Sequence, residues 1–180
     1  MRTPDSPTTD PADTHRLRAA LGRFTTGVAV VTATSPAGRP VGMTVNSFTS
    51  VSLAPPLVLF CASRRSSLYP VFAGAAAFGV NILRDGQTAE SRRFAGPGLD
   101  RFAGLRPRAG RTGVPLLPRA LATLECVEPE LRPAGDHDVI IGRVAVVEMD
   151  AGELDQPLVY YAGGYHSLDT DHAWWSAWRE

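Results

Sequence analysis

The segment that decides the fold is TGVAVVTATSPAGRPVGMTVNSFTSVS, residues 26–52. Its first part, residues 26–34, is an unbroken β-branched run, which predicts a strand with both faces covered. SPAGRP, residues 35–40, is a turn cluster. Residues 41–52 alternate only in part, as two strands or one bent strand would. The segment therefore predicts consecutive strands separated by turns.

The rest of the chain continues this pattern of strands separated by turns. Further strands are predicted at residues 57–62, 77–83, 120–130, 138–150 and 157–161. Helices are predicted from Thr14, with Leu17, Leu21 and Phe24 on one apolar face, from Ser66 and Ser67, and over residues 87–94. About seven strands with two or three short helices is not a strand–helix–strand pattern. It predicts a mainly β fold, a β-barrel with peripheral helices.

A length of 180 residues fits one domain with short appendages. Residues 1–13 contain three prolines and little apolar sequence, so they are interpreted as a disordered tail. Residues 14–168 form the predicted domain, in which residues 95–118 are a long Gly-, Pro- and Arg-rich loop. Residues 169–180 form a tail that carries all three tryptophans.

Composition excludes several classes of protein. Hydrophobic residues make up 44% of the chain and charged residues 20%, which argues against disorder. No apolar run approaches the roughly 20 residues that a membrane-spanning helix needs. The N-terminus lacks the apolar stretch of a secretory signal. Two cysteines, Cys61 and Cys126, are too few for a disulfide framework, and together these features predict a cytoplasmic protein.

All 18 basic residues are arginine. The absence of lysine excludes a Walker-type phosphate loop and Schiff-base or pyridoxal phosphate catalysis. A formal net charge of zero gives no electrostatic reason to expect nucleic-acid binding. Seven arginines fall between Arg92 and Arg119 with one acid, Asp100. They indicate either a solvated basic face or an edge that meets phosphate.

The common catalytic motifs are absent. The chain has no G-x-G-x-x-G after a strand, and no G-x-S-x-G, H-E-x-x-H or C-x-x-C. A Ser-His-Asp hydrolase remains possible from residue types alone, but no serine is singled out. Only Gly135-Asp136-His137-Asp138 places a histidine among carboxylates. No third ligand converges on it, so no metal site is expected.

Residues 42–52 are unusually rich in small polar side chains. Six of these eleven residues carry a hydroxyl or an amide, namely Thr44, Asn46, Ser47, Thr49, Ser50 and Ser52. Such a strand edge leaves backbone N–H groups accessible, and a flat heteroaromatic ring with carbonyls along one edge could pair with it. The alternative is an ordinary exposed strand face.

Five blocks of this sequence resemble the flavin reductase-like family, over roughly residues 15–168. They are LGRFTTGVAVVTA with GMTVNSFTSVSLAPPLVLFCASRRSS, FGVNIL, AESRRFAG with DRF, GDHDVIIGRV, and PLVYYAGGYHSL. The resemblance implies an FMN-binding split β-barrel, usually a homodimer. It also implies a reductase that uses NADH or NADPH to reduce FMN or FAD by hydride transfer to flavin N5. The reduced flavin then serves a partner monooxygenase, with no role for nucleic acid or membrane.

The resemblance also implies roles for particular residues. Asn46 and Ser47 would lie against the flavin ring edge, beside Thr44, and Ser50 and Ser52 along the ribityl–phosphate chain. The phosphate end of the flavin would meet Cys61, Ala62, Ser63, Ser66 and Ser67. Arg93 and Phe94 match a helix that closes over the same region. His137 would face the nicotinamide as the catalytic residue, and Tyr165 would stand beside the flavin.

Two other functions remain open from the sequence. One is an enzyme of the same fold that keeps FMN or another cofactor tightly bound and acts directly on an organic substrate. The other is a non-catalytic flavin-binding module. The GDH block favours a nicotinamide site over the second of these.

Overall fold

A computed structural model of the chain describes residues 11–98, 100–149 and 156–168. The Trp-rich tail predicted at residues 169–180 lies outside the described residues. So do the first ten residues of the predicted N-terminal tail, and the predicted last residue of one strand, at position 150. Residues 11–13 of the predicted disordered tail belong instead to the first helix.

The described residues form three short helices and twelve strands. The helices are α1 (Pro11–Leu21), α2 (Tyr69–Gly74) and α3 (Thr88–Ala95). The strands are β1 (Thr26–Gly27), β2 (Ala29–Thr34), β3 (Pro40–Val45), β4 (Thr49–Leu53), β5 (Pro56–Ser63), β6 (Ala77–Ile82), β7 (Arg108–Ala109), β8 (Pro115–Leu116), β9 (Ala122–Ala134), β10 (His137–Met149), β11 (Val159–Tyr161) and β12 (Gly164–His166). The prediction of a mainly β fold with peripheral helices is confirmed.

Seven strands form one antiparallel sheet in the order β3-β2-β6-β9-β10-β5-β4. Its two edge strands, β3 and β4, are consecutive in the chain and are joined by residues 46–48 alone. The four residue steps from Val45 at the end of β3 to Thr49 at the start of β4 span at most about 14 Å. The sheet therefore curls until its two edges approach each other at this connection. A smaller sheet, β1-β11-β12, and the pair β7-β8 complete the described strands.

Strand β2 lies between two apolar cores, which confirms the prediction that both its faces are covered. Ala29, Val31 and Ala33 point into a cluster with Phe60, Phe72 and Phe78. Val30 points the other way, into a cluster with Leu83, Phe94, Phe102, Leu117 and Leu158. Because side chains alternate along a strand, one β-branched run can contribute to both cores.

The structure resolves residues 26–52 into more strands than the sequence suggested. The run at residues 26–34 is interrupted at Val28 and divides between two sheets, because β1 pairs with β11 whereas β2 pairs with β3 and β6. Of the two possibilities for residues 41–52, the strand pair is correct. Its members, β3 and β4, occupy opposite edges of the large sheet.

The first helix differs from its prediction. It begins at Pro11, before Thr14, and it ends at Leu21, so Phe24 lies beyond it. Leu17, Leu21 and Phe24 are 53%, 64% and 76% exposed, so this apolar face does not pack on the core of its own chain. The second helix begins at Tyr69 and not at Ser66 or Ser67, because Ser66 is part of a turn in which Tyr69 N–H donates to Ser66 C=O at 3.0 Å.

Three of the arginines between positions 92 and 119 are bound to other groups of the described chain. Arg93 donates to the Ala103 carbonyl, Arg101 donates to the Gly42 and Phe94 carbonyls, and Arg108 pairs with Glu148. The predicted loop at residues 95–118 contains the short pair β7-β8. Within the described ranges, none of the three helices is long and apolar enough to cross a membrane.

Candidate active site

The connection between the two edges of the large sheet, residues 46–48, lies at the centre of the candidate site. Cys61 on β5 donates its backbone N–H to the Ser47 hydroxyl at 2.9 Å, which holds the connection against the sheet. Asn46 is exposed and Ser47 is half-buried. Two cavities open beside this connection, and both use residues 44–46 as a wall.

The first cavity, called here the serine cavity, has a volume of about 280 Å³. Its lining comes from β3, the connection after it, β5, the turn after β5 and the start of β10. The lining residues are Met43, Thr44, Val45, Asn46, Ser47, Cys61, Ser63, Ser66 and His137. The pairing of β10 with β5 sets His137 directly opposite Ser63. The register of two strands therefore brings the imidazole to the serines.

Three serines of this cavity share one hydrogen-bonding pattern. The hydroxyl of each accepts a backbone N–H: Ser47 from Cys61 at 2.9 Å, Ser63 from Arg65 at 3.3 Å, and Ser66 from Leu68 at 3.2 Å. A serine hydroxyl has one donor hydrogen in addition to its acceptor lone pairs. Each O–H therefore remains available to a ligand, and the cavity provides three such donors.

The second cavity, called here the tyrosine cavity, has a volume of about 240 Å³. It lies between β3, α3 and the small sheet, and it is lined by Val28, Thr44, Val45, Asn46, Ser91, Ala95, Tyr160 and Tyr165. The Tyr160 and Tyr165 rings meet edge to face, with their centroids 5.5 Å apart. The cavity therefore has an aromatic wall opposite the polar end of β3.

A chain of hydrogen bonds fixes the orientation of Tyr165. The Thr44 hydroxyl donates to the Ser91 carbonyl at 2.7 Å, and the Ser91 hydroxyl lies 2.8 Å from the Tyr165 hydroxyl. The Arg92 guanidinium lies 5.7 Å from the centroid of the Tyr165 ring, within cation–π range. Three elements, β3, α3 and β12, are thus tied together around the tyrosine cavity.

His137 presents one ring nitrogen to the serine cavity. Its Nδ1 lies 2.8 Å from an Asp136 carboxylate oxygen, so Nε2 is the nitrogen available to a ligand. The hydrogen bond to His137 and the charge of that ring lower the pKa of Asp136 below its usual range. In the described residues, no serine or cysteine of the cavity bonds to His137. The site therefore contains no nucleophile–base pair of the kind that hydrolases use.

The structure brings together eight of the fourteen predicted site residues. Seven of them, Thr44, Asn46, Ser47, Cys61, Ser63, Ser66 and His137, line the serine cavity, and Tyr165 lines the tyrosine cavity. Four of the others do not line either cavity. Ser50 and Ser52 are on edge strand β4 opposite Val58 and Leu57, Ser67 is exposed, and Arg93 is exposed and bonded to Ala103.

Ala62 and Phe94 have buried side chains that do not line either cavity. Ala62 follows Cys61 and precedes Ser63 on β5, and strand alternation turns it into the first core. Phe94 lies in the second core, where its ring meets Phe102 edge to face at 5.0 Å. Both residues therefore pack in the apolar cores and not in the cavities.

Sequence reasoning missed several lining residues. Ser91 and Ala95 lie within the AESRRFAG block, of which only Arg93 and Phe94 were predicted as site residues. Ser91 is the fully buried polar residue of that helix. Tyr160 had no local signal, because it reaches the cavity only through the pairing of β11 with β1 and β12. Val28 lies at the break between β1 and β2, and the sequence did not indicate this break.

The two cysteines have different environments. Cys61 lines the serine cavity, whereas Cys126 is buried in the first core, and both are free thiols. Burial raises the pKa of Cys126 to about 12, so this thiol is unreactive at neutral pH. Among the described residues, no three His, Cys, Asp or Glu side chains are grouped so that they could hold a metal ion.

The family model of the flavin reductase like domain matches residues 21–169. This chain belongs to the flavin reductase-like family. A relative from Rhizobium meliloti named "Probable flavin reductase" is 45% identical over 153 residues. That match covers 85% of this chain and 48% of the relative, so the chain spans about half of the relative's length.

Two further family members match over nearly their whole length. The reductase subunit HsaB of a flavin-dependent monooxygenase from Rhodococcus jostii is 36% identical over 168 residues, which are 93% of this chain and 85% of HsaB. The solved structure of the NADH:FAD oxidoreductase SgcE6 from Streptomyces globisporus, in complex with NAD and FAD fragments, has a TM-score of 0.83 and 34% identity. It covers 93% of this chain and 99% of SgcE6.

Proposed function

We propose that this chain is an NAD(P)H-dependent flavin reductase that reduces FMN or FAD and supplies the reduced flavin to a partner monooxygenase. The observation that carries the proposal is the pair of cavities that share residues 44–46, with three serine O–H donors and His137 at one end and two tyrosines at the other. The NAD and FAD fragments bound by SgcE6 support both substrate classes.

The donor set of the serine cavity suits the polar parts of a flavin. Its lining contains hydroxyl, amide and imidazole groups but no carboxylate, so an anionic phosphate meets no repulsion from the lining itself. We place the phosphate end of the flavin at Ser63 and Ser66, whose O–H groups donate to it. Asn46 lines both cavities and Ser47 follows it in the serine cavity, and we assign both to the polar edge of the ring.

The tyrosine cavity suits an aromatic ligand. Tyr160 and Tyr165 provide flat apolar faces, and the bond between Ser91 and Tyr165 holds one of these rings in place. A fixed ring favours stacking, because little side-chain entropy is lost on binding. We assign Tyr165 to the flavin and His137 Nε2 to the nicotinamide nucleotide, as a hydrogen-bond partner that orients it.

The flavin, when bound, supplies the redox chemistry, accepting a hydride from the reduced nicotinamide. No residue of this chain forms or breaks a covalent bond in the reaction. They hold two flat rings in contact, exclude water between them, and offer neutral hydrogen-bond donors to the negative charge that develops on reduction. This assignment is consistent with the absence of a nucleophile–base pair around His137.

Turnover with added flavin tests the proposal. The purified protein is mixed with NADH, and NADH oxidation is followed with and without added FMN or FAD. We expect oxidation only when flavin is added, because flavin acts as a dissociable substrate. A yellow protein that is inert toward free flavin indicates a tightly bound cofactor instead. Flavin binding without NADH or NADPH oxidation indicates a non-catalytic module. Either result contradicts the proposal.

We further propose that the protein is a cytoplasmic homodimer. Two large apolar side chains on edge strand β4, Val51 and Leu53, are 47% and 90% exposed. Val147 and Met149 on β10 are 57% and 78% exposed, and β10 runs in the same direction as β4 because both are antiparallel to β5. A second copy is the partner that we propose for this surface. The two free thiols suit a reducing compartment.

A further inference from the structure

A buried carboxylate links two segments that line the serine cavity. Asp138 follows His137 on β10, and strand alternation points it away from His137, into the protein. It is 4% exposed. No role was predicted for it, and it does not line the cavity. A buried carboxylate is costly unless it is fully hydrogen-bonded, so its partners show what it holds.

Two residues from the segment after β5 bind this carboxylate. Arg64 donates from Nε to one Asp138 oxygen at 2.8 Å, and its Nη2 donates to the same oxygen. The Tyr69 hydroxyl donates to the other oxygen. Arg64 also donates its backbone N–H to the Asp136 carbonyl at 3.1 Å. The segment from Arg64 to Tyr69 is therefore fastened to the β9–β10 turn at several points.

This fastening lies between residues that line the cavity. Ser63 and Ser66 flank Arg64 in the chain, so they form one wall of the serine cavity. His137 stands between Asp136 and Asp138 and lines the same cavity. The bonds of Asp138 therefore link the segment that carries Ser63 and Ser66 to the strand that carries His137.

In the cluster formed by Asp138, Arg64 and Tyr69, the negative charge of Asp138 is compensated by the positive charge of Arg64. Hydrogen bonds from Tyr69 and Arg64 lower the pKa of Asp138, and the hydrogen bond to Asp138 raises the pKa of both partners. The carboxylate therefore stays ionised and the Arg64 guanidinium stays paired with it at neutral pH. Arg64 is thus committed to Asp138, and the serine O–H groups remain as donors for an anion.

We propose that Asp138, through Arg64 and Tyr69, is a positioning residue that sets the Ser63 and Ser66 hydroxyls for the phosphate end of the flavin. This inference rests on the proposed function. It predicts that breaking the cluster weakens binding of the phosphate and leaves binding of the ring nearly unchanged, because Asn46, Ser47 and the tyrosine cavity do not contact Asp138.

The test compares two flavins that differ only in the phosphate, FMN and riboflavin. Their dissociation constants are measured by quenching of flavin fluorescence for the wild-type protein and for Asp138→Asn. We expect Asp138→Asn to raise the FMN constant about tenfold, because one charged hydrogen-bond acceptor is lost. The riboflavin constant should stay within about twofold, as for substitutions distant from a contact. The kcat at saturating FMN should also be retained.

Two further variants make the test specific. Tyr69→Phe removes only one O–H donor and should shift the FMN constant in the same direction by about threefold. If Asp138→Asn does not fold, the FMN dissociation constant of Tyr69→Phe alone tests the proposal. Glu130→Gln removes an exposed carboxylate from the same hairpin, where it pairs with Arg132, and should change neither constant.

The outcomes separate this inference from the proposed function. Loss of FMN affinity with riboflavin affinity retained supports the positioning role. Equal losses for both flavins, or no loss in either cluster variant, overturn it, since the cluster is then merely structural. A wild-type protein that binds neither flavin overturns the proposed function, and this inference with it.

Discussion

His137 combines two features that a nicotinamide-orienting residue needs. Asp136 engages Nδ1, and the pairing of β10 with β5 holds the ring opposite Ser63. A histidine held by its neighbour loses little freedom when Nε2 binds a ligand. The same feature has a purely structural explanation, in which the histidine only orders the β9–β10 turn.

Replacement of His137 distinguishes these two roles. We expect His137→Ala to raise the KM for NADH about tenfold, because one hydrogen bond to the nucleotide is lost. The dissociation constant for FMN should change by less than about twofold. Steady-state kinetics and flavin fluorescence measure the two quantities.

His15→Ala serves as the matched control, because His15 is an exposed histidine on α1. It should alter neither quantity. Equal losses in nucleotide use and flavin affinity for His137→Ala would reassign His137 to a structural role.

At the scale of elements, a buried glutamate holds the irregular segment around β7 and β8. Glu125 on β9 is 1% exposed and accepts N–H bonds from Arg111 at 2.9 Å and Thr112 at 2.6 Å, together with the Thr112 hydroxyl at 2.7 Å. The turn passes so close that a Cβ on Gly110 would lie 2.6 Å from the Glu125 carboxyl carbon. Only glycine fits this position without displacing the carboxylate.

We expect Glu125→Gln to destabilise the protein by about 2 kcal/mol at neutral pH, because bonds to a charged acceptor are lost. Burial raises the pKa of Glu125, but the bonds from Thr112 and Arg111 outweigh it and lower the pKa overall. The stability from this carboxylate is therefore present above its unfolded pKa and is lost as the pH falls through the lower folded value. The difference between variant and wild type should shrink in acid.

Chemical denaturation at neutral and acidic pH measures this difference. Glu130→Gln, on the same strand but exposed, should have little effect at either pH. Equal unfolding free energies of Glu125→Gln and wild type at neutral pH, or a difference that grows in acid, would contradict the assignment.

For the whole molecule, several large apolar side chains of the described residues are exposed. Val51, Leu53, Val147 and Met149 lie on strands that run in the same direction, and Leu17, Leu21 and Phe24 are exposed at α1 and just after it. Burial of a leucine side chain contributes about 1.5–3 kcal/mol. A surface of this kind is typical of a protein that associates.

We expect the wild-type protein to be a dimer by light scattering, and Leu53→Asp to raise the dimer dissociation constant at least about tenfold. Leu53 is the most exposed of these side chains, so its replacement perturbs the isolated chain little. Ala37→Asp, in the exposed turn between β2 and β3, introduces the same charge elsewhere and should leave the dimer intact. A wild-type monomer that turns over NADH would contradict the proposed assembly.

Much of the fold could be predicted because its signals are local. β-branched runs, turn clusters and short amphipathic stretches indicated most strands and the approximate positions of all three helices, and the ordered blocks indicated the family. The site was predictable where its residues follow one another, as from Thr44 to Ser47 and from Cys61 to Ser66. The bounds of α1 were misplaced, because it begins at Pro11 and ends before Phe24. Periodicity shows that its face is apolar but does not show what covers that face.

By itself, the sequence determined most of the strands, the polar end of β3 and the three serine hydroxyls beside it. Only the tertiary structure decided that β3 and β4 are the two edges of one curled sheet and that Ser91, 47 residues from Thr44, bonds to it. It also decided that Asp138 holds Arg64 and Tyr69. The physical reason is that propensity and alternation act between neighbours in the chain, whereas register, curvature and buried hydrogen bonds depend on segments that meet only when the chain folds.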